Sequence, residues 1–130
     1  MRRILLLLIP LTLTIAACGG GDDASHGDDG HDDNSVVADG ARTIAVTGDG
    51  FRFDPPRIEA SVGEELAIEL TAADVEHDFV IDELDAHVSA GRGETATGGF
   101  HTGEERGTYT YYCSVPGHRD AGMEGELVVG

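Results

Sequence analysis

Three side chains that can donate to a metal recur at even spacing near the end of the chain. In Tyr111-Tyr112-Cys113-Ser114-Val115-Pro116-Gly117-His118-Arg119-Asp120-Ala121-Gly122-Met123-Glu124-Gly125 they form Cys-x4-His-x4-Met. Pro116, Gly117 and Gly122 make the intervening stretch a turn-rich loop. A soft thiolate, an imidazole and a weak thioether are the donor set that suits copper. Two His and one Cys around the ion with a long axial Met make a type 1, or blue, copper site. That set needs a second imidazole, and His77 is the natural candidate because it opens the apolar run His77-Asp78-Phe79-Val80-Ile81.

Other chemistries compete for the same residues. Zinc takes Cys and His well, but a structural zinc site normally wants four strong ligands, and the sequence has no Cys-x2-Cys pair. A binuclear copper centre would want a second Cys in the loop. A nucleophilic Cys–His pair needs an orienting group and leaves Met123 unexplained. Without ligand roles, a lone Cys at a strand end is usually a small buried hydrophobe, and a lone Met near the last strand is usually core. Their shared loop and spacing with His118 favour the metal. His87 and His101 have no such setting and read as ordinary loop or surface histidines.

The elements that must position these donors read as strands. Leu66, Ile68 and Leu70 alternate with Glu65, Ala67 and Glu69, a period of two with one wet face. Thr43 to Val46 alternates as well, and Phe79 and Ile81 oppose Val80 and Asp82. Tyr109, Tyr111 and Cys113 share one face of their run, and Leu127 to Val129 closes the chain. Gly48, Gly50, Pro55-Pro56, Gly63 and the 91–107 stretch punctuate these runs. No amphipathic helix of useful length and no internal repeat is evident. Several short strands in about 90 residues predict an all-β, two-sheet sandwich over residues 41–130.

Residues 1–18, MRRILLLLIPLTLTIAAC, form a different kind of segment. Two arginines, an apolar run too short to span a bilayer and small residues at its end define a secretory signal. Its ending, Ile15-Ala16-Ala17-Cys18, resembles the lipobox of bacterial lipoproteins, in which the cysteine is lipidated and becomes the first mature residue. An ordinary signal peptide is the alternative. Arg2-Arg3 is read as a plain basic n-region rather than a twin-arginine signal. The two cysteines therefore have separate jobs and are not expected to pair. Residues 19–40 hold seven Asp, no base and no aromatic. Such a segment buries too little to offset its ordering entropy, so a disordered tether is expected, spanning about 25 Å as a flexible coil. His26 and His31 within it could bind metal weakly, but a solvated spacer is the favoured reading.

The 130-residue chain carries −17 formal charge, every one of its eight basic residues being Arg. Without the leader, 25 acidic residues face six Arg, for −19. That excludes nucleic acid as a partner and disfavours direct adsorption to anionic lipid. It fits a cationic partner face or solubility in a salty medium.

Over residues 51–129 the sequence resembles the plastocyanin/auracyanin branch of the cupredoxins, with a halocyanin-like acidity. The resemblance is carried by Phe51-x-Phe53-x-Pro55, Gly63-Glu64-x-Leu66, Glu76-His77-Asp78-Phe79, Gly107-Thr108-Tyr109-x-Tyr111-x-Cys113 and the Cys113–Met123 loop. It implies a Greek-key β-sandwich with one copper ion at one end, held by His77, Cys113, His118 and Met123. It also implies a bond between Asp78, where many members carry Asn, and Ser114, and electron passage through the edge of His118. The expected function is one-electron transfer by a monomeric, non-enzymatic lipoprotein. It would be anchored through Cys18 outside the cytoplasmic membrane and would meet its redox partners transiently. Copper binding, buffering or delivery is the rival function.

Overall fold

The structure, a computed structural model, describes residues 36–130. The leader, Cys18, His26 and His31 lie outside the described residues. Nine strands follow in order: β1 Arg42–Asp49, β2 Arg52–Asp54, β3 Arg57–Ala60, β4 Glu65–Ala72, β5 His77–Ile81, β6 Ala86–Ala90, β7 Thr95–His101, β8 Gly107–Tyr112 and β9 Glu124–Val129. Among the described residues the one helical element is a single 3-10 turn, Asp82–Leu84.

The strands form two mixed sheets. One runs β2-β1-β4-β7 and the other β3-β9-β8-β5-β6, with β1 parallel to β4 and β3 parallel to β9. This is the two-sheet sandwich that the alternation predicts. Ile44, Val46, Leu66, Ile68, Leu70 and Ala72 of the first sheet join Ile81, Val88, Tyr111, Leu127 and Val129 of the second in one apolar cluster. Each fully buried Leu or Ile contributes about 1.5–3 kcal/mol relative to exposure. The few aromatics are concentrated rather than spread. Phe53 lies edge-on to Phe79 and Tyr111 at 6.0 and 5.3 Å, while Phe79 stacks on Tyr111 at 4.7 Å.

Two details depart from simple alternation. Ala67, expected on a wet face, is fully buried. It pairs with Gly99 of β7, against which the backbone of Val36 and Val37 passes. Gly99 has no side chain, and a Cβ there would lie 2.7 Å from the Val36 carbonyl oxygen, so the absence of a side chain admits this segment. Asp78 is also buried, although it points away from the core face that holds Phe79. Its surroundings belong to the site.

Candidate metal centre

The site lies at one end of the sandwich, where β1, β4 and β8 finish and β5 begins. The aromatic cluster forms its floor. Phe79 follows His77 by two residues and Tyr111 precedes Cys113 by two, so their stacking fixes the two strands that carry those donors. Such a pair adds about 0.5–1.5 kcal/mol beyond its area. Val80 pairs with Tyr112 across β5 and β8. Extending that antiparallel register sets Asp78 opposite Ser114.

The loop from Cys113 to Met123 closes on itself. His118 N–H donates to the Val115 carbonyl at 3.0 Å, with Gly117 at φ +86°. Pro116 then Gly117 at the two central positions make this a type II turn, in which the second residue needs positive φ. The Met123 N–H donates to the His118 carbonyl and the Cys113 N–H to the Met123 carbonyl, at 3.0 and 3.2 Å. Cys113, His118 and Met123 are thereby tied together by main-chain bonds. Arg119 reinforces the tip, lying over the Tyr112 ring at 3.8 Å and donating to Glu124 at 2.7 Å.

His77, Cys113 and His118 bring their donor atoms within 4.8 Å of one another. Cys113 Sγ is 3.4 Å from His118 Nδ1 and 3.9 Å from His77 Nδ1. An ion about 2.0 Å from an imidazole and about 2.3 Å from a thiolate, with a trigonal angle between them, separates N and S by about 3.7 Å. The two observed distances straddle that value. His77, Cys113 and Met123 are fully buried and His118 is half-buried, so one donor meets solvent. Two imidazoles, one thiolate and a buried thioether on the same loop suit one copper ion of type 1 and fit zinc poorly. Burial pushes the Cys113 thiol up to about 11, with the Asp78 carboxylate adding to the rise. Metal binding must therefore displace a thiol proton.

Asp78 faces Ser114 through both oxygens. Its Oδ1 accepts from the Ser114 N–H and its Oδ2 from the Ser114 hydroxyl. His87, read from sequence as an ordinary histidine, stands with Nε2 3.5 Å from the same carboxylate. His101 sits exposed at the end of β7, its Nδ1 accepting from the Gly103 N–H, away from the site.

Sequence reasoning gave no site role to three residues that the structure places beside the donors. Asp74 accepts a 2.8 Å hydrogen bond from His77 Nε2, and that bond holds its carboxyl below the usual range. Phe51 packs edge-on to His118, centroids 5.4 Å apart, and is half-exposed. Gly48 lies flat against His77, where a Cβ would meet the ring at 2.9 Å. The one signal available in the sequence was an acid three residues before a candidate ligand.

A two-sheet β-sandwich that gathers two imidazoles and a thiolate at one end defines a cupredoxin-type copper-binding domain. The chain belongs to the plastocyanin/azurin family of copper-binding proteins, whose sequence profile matches residues 40–130. It is 30% identical over 161 aligned positions to the copper-resistant cuproprotein CopI of Rubrivivax gelatinosus, with 99% of this chain and 96% of that protein covered. Among solved structures it resembles auracyanin B at a TM-score of 0.62 and 22% identity, covering 75% of this chain and 94% of that one. Auracyanin A of Chloroflexus aurantiacus, described as a blue copper protein, matches at 0.58 and 23%, covering 70% and 100%. These structural likenesses establish the fold.

Proposed function

We propose that the protein is a mononuclear type 1 copper protein that carries single electrons outside the cytoplasmic membrane. The observation that carries this reading is the convergence of His77 Nδ1, His118 Nδ1 and Cys113 Sγ in a buried cluster. Met123 would be the fourth, weaker donor to the ion, and Asp78 and Ser114 would hold the strand ends that carry His77 and Cys113. Bound copper would supply the Cu(I)/Cu(II) couple.

The chain's own part is to hold donors still and keep water out. His77 is gripped from both sides, by Asp74 at Nε2 and by Gly48 against its face. The Cys113 backbone is held by Met123 and by Asp78 through Ser114. Donors fixed this firmly move little when charge changes, and that keeps reorganisation small. His118 is the half-buried donor, with Phe51 edge-on beside it and Val75 also exposed at this end. Electrons would enter and leave there, through small, short-lived contacts with redox partners.

The domain organisation read from sequence completes the proposal. A leader ends at a lipidated Cys18, the acidic linker 19–40 acts as tether, and the copper domain follows. Cys18→Ala should release the protein from membranes while leaving copper binding intact. Wild-type protein found wholly in the soluble fraction, with Cys18 unmodified, would contradict the anchor.

Copper handling is the second reading, favoured by the description of the Rubrivivax relative as a copper-resistant cuproprotein. The two separate by experiment. A carrier shows reversible voltammetry and keeps its copper against a Cu(I) chelator through repeated reduction and oxidation. Rapid loss of the reduced ion to the chelator would favour delivery instead.

A further inference from the structure

Asp74 lies in the loop between β4 and β5, three residues before His77. Its Oδ1 is 2.8 Å from His77 Nε2, and its Oδ2 accepts from the Gly50 N–H at 3.1 Å. A carboxylate can only accept, so the proton on the His77 ring sits on Nε2. That tautomer leaves the Nδ1 lone pair free on the side that faces Cys113 Sγ. The His77 ring is fully buried. The Gly50 bond extends the brace, because Gly50 precedes Phe51, whose ring packs edge-on to His118. One carboxylate thus bonds directly to one imidazole and anchors the turn beside the other. Its side chain is 42% exposed, so it keeps a formal negative charge near the site without full desolvation.

Asp78, by contrast, accepts from Ser114 through both oxygens and has His87 Nε2 3.5 Å from one of them. Asp74 is the carboxylate that touches a donor ring. Partners of this kind fix ring orientation and raise ligand basicity, and a nearby negative charge favours the more positive, oxidised ion.

We propose that Asp74 is the positioning residue of the copper centre, fixing the Nε2-protonated tautomer of His77 and holding the reduction potential down. The inference rests on the copper reading above, and its test separates the two. Asp74→Asn retains an oxygen that can accept from Nε2–H but loses the charge. Asp74→Ala loses both.

In metal-free protein, proton–nitrogen NMR should show a slowly exchanging Nε2–H on His77 in the wild type and in Asp74→Asn. The signal should be lost or fast-exchanging in Asp74→Ala. In copper-loaded protein, both variants should have raised reduction potentials, and Asp74→Ala should bind Cu(II) about 10- to 100-fold more weakly. An Nε2–H signal and a potential in Asp74→Ala that match the wild type would overturn the proposal. If the wild type forms no copper–thiolate chromophore, the copper reading fails instead, and the metal-free NMR comparison still decides whether Asp74 sets the tautomer.

Discussion

Gly48→Ala is the substitution that probes the packing behind the site most cleanly. Gly48 does not have positive φ, so an alanine backbone is comfortable there and the effect is purely steric. Its Cβ would lie 2.9 Å from both Cγ and Cδ2 of His77 and 3.0 Å from the His77 Cβ. Carbon atoms rest about 3.5–4.0 Å apart, so the ring or strand β1 must yield by about 0.6–1 Å. The ring has little freedom, being held at Nε2 by Asp74 and facing Cys113 at Nδ1. Functional groups tolerate about 0.5 Å of misplacement. Overpacking of this kind costs about 1–3 kcal/mol. If half of that falls on the ligating geometry, copper affinity drops about 2- to 12-fold, since each 1.4 kcal/mol is a factor of ten. Competition titration with a Cu(II) chelator reads the affinity, EPR reads the geometry, and urea unfolding of the metal-free protein reads the strain. Gly107→Ala is the control, because its Cβ would meet only the Tyr109 ring, at 3.9 Å. A Gly48→Ala protein with wild-type affinity, spectrum and stability would refute the argument that His77 is wedged in place.

Two further outcomes follow from the electrostatics. The Cys113 thiol, raised to about 11 in the metal-free fold, holds its proton more tightly there than in the unfolded chain. The metal-free fold therefore keeps this contribution below about pH 9 and loses it as pH rises toward 11, by roughly 3 kcal/mol in all. Urea midpoints at pH 7 and 11 should diverge less in Cys113→Ala than in the wild type, and Cu(II) uptake at pH 7 should release one thiol proton per ion. Asp78→Asn should raise the reduction potential while leaving the visible spectrum nearly unchanged, because it replaces an acceptor-only carboxylate beside Ser114 by a neutral amide without touching a donor atom. Voltammetry checks this, and an unmoved potential would assign the charge control elsewhere.

The residues differ in how legible they were, for physical reasons. Leu66, Ile68 and Leu70 announce β4 because a strand's period of two is local. Cys113, His118 and Met123 announce a donor set because one loop carries all three. His77 was recoverable because its apolar run marks a strand start and the donor set lacked an imidazole. The site roles of Asp74, Gly48 and Phe51 were not legible, beyond the spacing of Asp74 from His77. Their roles exist only once the ends of β1 and β4 meet the start of β5, and that meeting depends on the parallel pairing of β1 with β4. His87 was read as ordinary for the same reason. Its approach to Asp78 comes from the β5–β6 register, which places it across from Val80. Ala67 looked solvent-facing because its neighbours Glu65 and Glu69 are polar, while the backbone of Val36 and Val37, far away in the chain, passes against Gly99, its partner in β7.

Everything proposed for the site depends on Cys113, with His77 and His118, binding copper through its thiolate. The most direct measurement is the visible absorption and EPR spectrum of the purified domain after one equivalent of Cu(II), beside Cys113→Ser treated identically. The wild type should show an intense thiolate-to-copper charge-transfer band and narrow copper hyperfine splitting, and the variant should lose both. A colourless wild-type protein with ordinary wide hyperfine splitting, or a band that survives in Cys113→Ser, would contradict thiolate ligation by Cys113.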